Sequence, residues 1–144
     1  METNVVLVLI CGARDWKTDG RIKVVISKLE WYALCIGTEL RVLVGGASGA
    51  DQIAKHICDR IGIEVVEMRA QWSEYGKSAG PIRNRAMLDQ KPDLVIAFHP
   101  VLPNSKGTKD CVEEARRRGI PTYVLRELDD DGYKYLFDVL NSKE

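Results

Sequence analysis

The sequence predicts an α/β fold: a doubly wound parallel sheet of about five strands with helices on both faces. Three observations carry this. Short, continuously apolar, β-branched runs alternate with longer segments whose apolar residues recur at helical spacing. Glycine or proline marks nearly every junction between the two patterns. A length of 144 residues suits one domain around a single core, and residues 1–144 contain no internal repeat, low-complexity tract or linker.

Asn4 to Cys11 is apolar throughout, as expected of a strand covered on both faces. Asp19 could cap the following helix, in which Ile22, Val25, Ile26, Leu29 and Ala33 share one face as far as Cys35. Arg41 to Val44 is the second strand. It runs into Gly45-Gly46-Ala47-Ser48-Gly49 and a helix from about Ala50 to Arg60, closed by Gly62 as a C-cap. Ile63 to Met68 reads as a third strand and Arg69 to Pro81 as a long irregular loop. Pro81 suits the first turn of a helix carrying Arg83 and Arg85. Asp93 to Phe98 is the fourth strand, followed by the polar, proline-marked loop His99 to Lys106. Gly107-Thr108 opens a helix to Gly119, Ile120 to Leu125 is a fifth strand, and an amphipathic tail helix spans residues 130–142.

Right-handed βαβ crossovers then give the strand order 3-2-1-4-5, a Rossmann-like sheet whose ligand crevice lies beyond the carboxyl ends of the first and fourth strands. Four loops converge on that edge: Gly12 to Trp16, Gly45 to Asp51, Arg69 to Gly80 and His99 to Thr108. A glycine turn feeding a helix N-terminus offers unpaired N–H groups and a positive dipole end to an anion. A tight βα turn is the plain alternative for any one of them.

Arg14, Arg83 and Arg85 can grip phosphate bidentately or form surface ion pairs. Trp16, Trp72 and Tyr75 are loop aromatics that could stack on a base or cap the core edge. Asp51, in a first helical turn, could cap the backbone, bind a ribose hydroxyl or hold a divalent cation. His99 at a strand end is a better site candidate than His56 in mid-helix, but no serine or cysteine stands at triad spacing. G-x-x-x-x-G-K-[ST] is absent, and so is G-x-G-x-x-G after the first strand, which disfavours P-loop hydrolysis and dinucleotide dehydrogenation.

Lys+Arg 21 balances Asp+Glu 21, which argues against a nucleic-acid partner, since polyanion affinity comes largely from phosphate neutralisation. Cys11, Cys35, Cys58 and Cys111 form no C-x-x-C pair and suit reduced core positions. With no leader and no membrane-length apolar run, a soluble cytoplasmic protein is expected.

Gly12-Ala13-Arg14-Asp15-Trp16, Gly45-Gly46-Ala47-Ser48-Gly49-Ala50-Asp51, Trp72 with Ala79-Gly80-Pro81-Ile82-Arg83-Asn84-Arg85-Ala86-Met87, and Lys106-Gly107-Thr108 form an ordered set. They resemble the YspA-type (cpYpsA-related) branch of the SLOG superfamily over residues 5–125, with the tail helix outside the match. The wider superfamily includes the LOG nucleoside-monophosphate phosphoribohydrolases and the DprA/Smf proteins. The resemblance implies a Rossmann-like domain that binds a nucleotide or nucleotide-derived ligand. LOG enzymes carry P-G-G-x-G-T-x-x-E, whose glutamate takes part in N-glycosidic cleavage. Here the glycine pair is missing and Cys111 occupies the glutamate position, so binding as a sensor or ligand-binding module is favoured over phosphoribohydrolase-like cleavage. DprA-like single-strand DNA binding is the weaker alternative.

The expected phosphate site therefore comprises Gly12, Ala13, Arg14, Gly45, Gly46, Ala47, Gly49, Asp51, Arg83, Arg85, Gly107 and Thr108, with Trp16, Trp72 and Tyr75 available for stacking. Glu74 and Asp51 are the catalytic candidates should cleavage occur. No resident cofactor and no metal cluster are expected beyond a divalent cation accompanying the nucleotide. A homodimer is a further expectation, because the tail helix has an apolar face (Tyr133, Leu136, Phe137, Leu140).

Overall fold

The computed structural model describes residues 4–99 and 106–126. Five apolar runs form one parallel sheet: β1 (Val5–Gly12), β2 (Glu39–Val44), β3 (Glu64–Glu67), β4 (Leu94–Phe98) and β5 (Thr122–Leu125). Their spatial order is β3-β2-β1-β4-β5, as the crossover argument required. Val8 is registered against both Val42 and Leu94, so β1 is central.

Side chains along each strand alternate between two cores, as the period of two demands. Val8, Ile10, Val42, Val44, Ile96 and Phe98 face one side, where they meet Ile22, Val25, Ile26 and Leu29 of α1 (Gly20–Cys35) and Ala54 and Ile57 of α2 (Ala50–Ile61). Leu9, Cys11, Leu43, Val95 and Ala97 face the other. There they meet Met87 and Leu88 of α4 (Ala79–Asp89) and Cys111, Val112 and Ala115 of α5 (Gly107–Arg117). Cys11, Cys58 and Cys111 are buried, whereas Cys35, at the end of α1, is exposed.

The segment expected to be irregular holds more structure than its composition suggested. A single turn, α3 (Trp72–Tyr75), and a 3-10 turn at Gly76–Ser78 lead directly into α4, which begins at Ala79 rather than Ile82. Pro81 is tolerated because it is the third helical residue, where a backbone N–H has no intrahelical acceptor to lose. Asp19 stands at the N-cap position of α1 but makes no side-chain cap; its φ of −94° and ψ of −18° are helical rather than extended, so its carboxylate is not aimed at the first N–H groups. Gly62 closes α2 as expected.

The tail helix over 130–142, and the dimer face assigned to it, lie outside the described residues, as does the stretch 100–105. Among the described residues no helix is long and apolar enough to cross a membrane.

Candidate functional site

The chain reverses its direction of winding between β1 and β4, and this opens a crevice at their carboxyl ends. The loop after β1 forms its floor. A Cβ on Gly12 would lie 2.3 Å from the Phe98 carbonyl oxygen and 2.8 Å from the Ala50 Cβ, so only glycine lets β1, β4 and α2 approach this closely. The Ala13 N–H donates to the Phe98 carbonyl at 2.8 Å.

The glycine turn after β2 is largely occupied by the protein itself. The first N–H of α2, on Ala50, donates to the Ala13 carbonyl at 3.1 Å, and the Ser48 hydroxyl donates to the Arg14 carbonyl at 3.3 Å. Gly49 has a φ of +78°, and a Cβ there would lie 2.2 Å from the Ala13 oxygen. The Ala47 N–H donates to Oδ2 of Asp51 at 3.2 Å, so Asp51 braces the turn from within.

Asp51 is only 3% exposed, and its Oδ1 is buried with no hydrogen-bond partner among the described residues. Burial pushes the carboxyl up to about 6, opposed by the Ala47 N–H and by the Arg83 guanidinium. Gly45 makes room for that guanidinium: a Cβ on it would lie 2.6 Å from Arg83 Nη1 and 3.0 Å from Asp51 Oδ2. Arg83 Nη1 donates to the Gly45 carbonyl, and Arg83 Nε to Asn84 Oδ1 at 3.0 Å.

Asn84, buried on α4, holds the opposite wall. Its Nδ2 donates at 3.1 Å both to the Gly107 carbonyl and to Asp110 Oδ2, which ties the start of α5 to α4. Between these walls lies a cavity of about 650 Å³ lined by Gly12, Arg14, Ala47, Asp51, Trp72, Arg83, Gly107 and Thr108 from the expected set. Sequence reasoning had not placed Lys77, Asn84, Asp110, Cys11 or Cys111 in that lining, and had ranked His99 only as a candidate. Cys11 is held as a thiol, its pKa raised by a hydrogen bond with Cys111 and by burial. Burial lowers the pKa of His99 and favours the neutral imidazole. A smaller cavity of about 250 Å³ adjoins, sharing Arg14, Ala47, Trp72 and Arg83 and adding Gly45, Gly46 and Arg69.

Several expected residues are not brought into this crevice. Trp16 is 5% exposed and packs edge-on against Phe98 with ring centroids 5.5 Å apart, its indole N–H donating to the Thr18 carbonyl at 2.8 Å. It is a core residue because the loop folds back, the Trp16 N–H donating to the Ala13 carbonyl at 3.3 Å. Ala13 is buried in the same core, and Gly49 serves the loop junction. Arg85 lies two residues beyond Arg83 on the helix and so points elsewhere; it donates to the Pro81 carbonyl at 3.2 Å and lines neither cavity. Glu74 and Tyr75 are exposed on α3 and also line neither, whereas Trp72, one turn earlier and 50% exposed, lines both. Among the described residues no group of three His, Cys, Asp or Glu could hold a metal ion.

No family model matches the chain. It is 35% identical over 119 residues to the Gene 61 protein of Mycobacterium phage D29, across 79% of this chain and 91% of that one. The chain belongs to that protein's family. Among solved structures it is similar to DNA processing protein A (DprA) from Streptococcus pneumoniae, with a TM-score of 0.61 and 19% identity over 91% of this chain. It spans 55% of the DprA chain, and the likeness establishes a DprA-like, Rossmann-type fold.

That likeness overturns the expectation that nucleic acid is not a partner, because the fold is shared with a DNA processing protein. The physical error lay in using a sum over the whole chain. Net charge is zero, yet among the described residues lining the larger cavity Arg14, Lys77, Arg83 and Lys106 outnumber the acidic Asp51 and Asp110. Surface potential follows local distribution, not the total.

Proposed function

We propose that the crevice is a nucleotide-binding site of SLOG type and that the protein acts as a ligand-binding module. One observation carries the reading: the N-terminus of α5, at Gly107 and Thr108, opens into the 650 Å³ cavity among Arg14, Lys77, Arg83 and Lys106. A helix N-terminus ringed by cations suits a phosphate group. The cavity volume suits a mononucleotide, and the exposed indole of Trp72 on its wall offers a stacking face for a base.

Carboxylates suited to glycosidic cleavage are scarce. Cys111 lies in the cavity where the LOG glutamate would stand, and Asp110 is engaged by Asn84. Binding without turnover is therefore the expected outcome. The test is a panel of nucleoside 5′-monophosphates and orthophosphate, read by melting temperature and by chromatography for released base. A rise in melting temperature that Arg83→Gln and Lys106→Ala reduce supports the site, and released base favours cleavage instead. If no nucleotide raises the melting temperature, the reading is wrong.

A second reading, a single-stranded DNA segment, is favoured by the DprA-like fold and by the adjoining cavity, which adds Arg69 to the cationic wall. It predicts that an oligodeoxynucleotide binds more tightly than its mononucleotide and that log affinity falls linearly with log salt.

A further inference from the structure

We infer that the smaller cavity is the seat of a second phosphate, so that the ligand class suited to this crevice is a nucleoside carrying two phosphate groups. This rests on the nucleotide-binding reading and deepens it.

The smaller cavity, of about 250 Å³, adjoins the larger one, and Arg14, Trp72 and Arg83 line both. Arg69 lines only the smaller, and among the described residues of that lining there is no carboxylate. Three guanidiniums around so small a space, with no acidic side chain in the lining, suit a phosphate dianion. A ligand can reach them. Arg14 is exposed and makes no ion pair among the described residues, and the Arg69 side chain is 74% exposed.

The seat is built from side chains, since the turn after β2 uses its own groups internally. Arg69 Nε donates to Glu67 Oε1, which leaves both Nη groups for a ligand. Gln52 Nε2 donates to Glu67 Oε2 at 3.1 Å and to the Gly46 carbonyl at 3.2 Å, so the Glu67–Arg69 pair is tied to the turn. Gly46 has a φ of +83°, and a Cβ there would lie 2.9 Å from Arg69 Cγ, so glycine lets the arginine stem pass close to the backbone. Arg83, shared by the two cavities, is held by the Gly45 carbonyl and by Asn84 Oδ1.

The linings also restrict what joins the two phosphates. Lys106, Gly107 and Thr108 line only the larger cavity and Arg69 only the smaller, so the two seats are separate. Trp72 is the one tryptophan, tyrosine or phenylalanine among the described residues of either lining. One base can stack there, and the smaller cavity offers no platform for a second. The second phosphate is therefore a terminal group rather than a link to a further nucleotide.

The test is calorimetry on the full chain and on Arg69→Gln with AMP, ADP, adenosine 3′,5′-bisphosphate and the dinucleotide pApA. ADP or the bisphosphate should bind the unmodified protein about tenfold or more tighter than AMP, as for hydrogen bonds between charged groups. Whichever gains the most shows which sugar position carries the second phosphate. In Arg69→Gln that advantage should shrink to within about threefold, because the two changes remove the same interaction. Equal affinity for AMP, ADP and the bisphosphate, or the same advantage in both proteins, overturns the inference while leaving nucleotide binding intact. So does pApA binding more tightly than either, which would favour a strand of DNA or RNA instead. Absence of any nucleotide response overturns both readings.

Discussion

Two helix starts, those of α2 and α5, face the same crevice and have been put to opposite uses. At the start of α2 the available groups are consumed internally: the Ala50 N–H by Ala13, the Ala47 N–H by Asp51, the Gly45 carbonyl by Arg83 and the Gly46 carbonyl by Gln52 at 3.2 Å. At the start of α5, Lys106, Gly107 and Thr108 line the cavity, and among the described residues a Cβ on Gly107 would meet nothing within 4 Å. The first junction knits the loops of the crevice together; the second is tied to α4 through Asn84 and lines the cavity. A glycine-rich turn is therefore evidence of close approach, and only its surroundings decide whether backbone or ligand does the approaching.

The sharpest way to break that contrast is to put a side chain at each junction. Gly49→Val should cost about 3 kcal/mol or more, because it adds atoms against the Ala13 and Arg14 carbonyls at a positive φ. Gly107→Ala should stay within about 0.5 kcal/mol, as a substitution at a helix start where no described residue comes within 4 Å of the added Cβ. Thermal or urea unfolding of the two variants checks both figures. Equal destabilisation would mean the two junctions are packed alike.

A second test uses the carboxylate inside the α2 junction. The folded pKa of Asp51 is raised from 3.8 to about 6, first by burial. The groups acting on it are Arg83 from α4 and Glu67 from β3, with Cys11 of β1 also close enough to interact. A raised folded pKa means the native state holds its proton more tightly than the unfolded chain. The stability from this group is therefore complete below pH 3.8 and is lost as pH rises through about 6. That loss amounts to about 3 kcal/mol across the window. Asp51→Asn should flatten this dependence, so the stability difference between the two proteins should shift by that amount between pH 3.5 and pH 7. Parallel pH profiles for the two would show that Asp51 is not buried as described.

The sequence carried the fold because its signals are local and repeated. Continuously apolar runs such as Val8 to Cys11 and Leu94 to Phe98 read as strands covered on both faces, and handedness then orders them. The half of the crevice marked by Gly12, Arg14, Arg83 and Gly107 was legible for the same reason: each stands at a strand end or helix start. What escaped depended on which way an element turns. Trp16 and Trp72 look alike in a loop, but a hydrogen bond from the Trp16 N–H to Ala13 tucks the first under β4, while the second stays half exposed. Asn84 carried no site signal of its own in the sequence, since its burial arises only when α4 meets α5. The neutral total charge concealed four cations on one edge for the same reason.

Helix α4 stands between the two junctions and allows them to be loosened one at a time. Asn84→Ala removes both of its bonds to the α5 start and leaves the Gly107 carbonyl and Asp110 without that donor. The expected cost is about 1–3 kcal/mol, together with weaker nucleotide binding as the helix start loses its anchor. Arg85→Ala, one residue further, should do almost nothing. Arg85 is 45% exposed at its side chain, and its ion pairs to Asp110 and Glu114 are long, at 3.9 and 4.0 Å. Exposed pairs of that kind contribute about 0–1 kcal/mol. Adjacent residues on one helix should thus separate cleanly: the Asn84 variant loses stability and affinity together, while the Arg85 variant keeps its affinity and melts within a few degrees of the parent. If Arg85→Ala instead weakens ligand binding as much as Arg83→Gln, the cationic wall extends around α4 and the phosphate sits nearer the outer face of α5 than Lys106–Thr108.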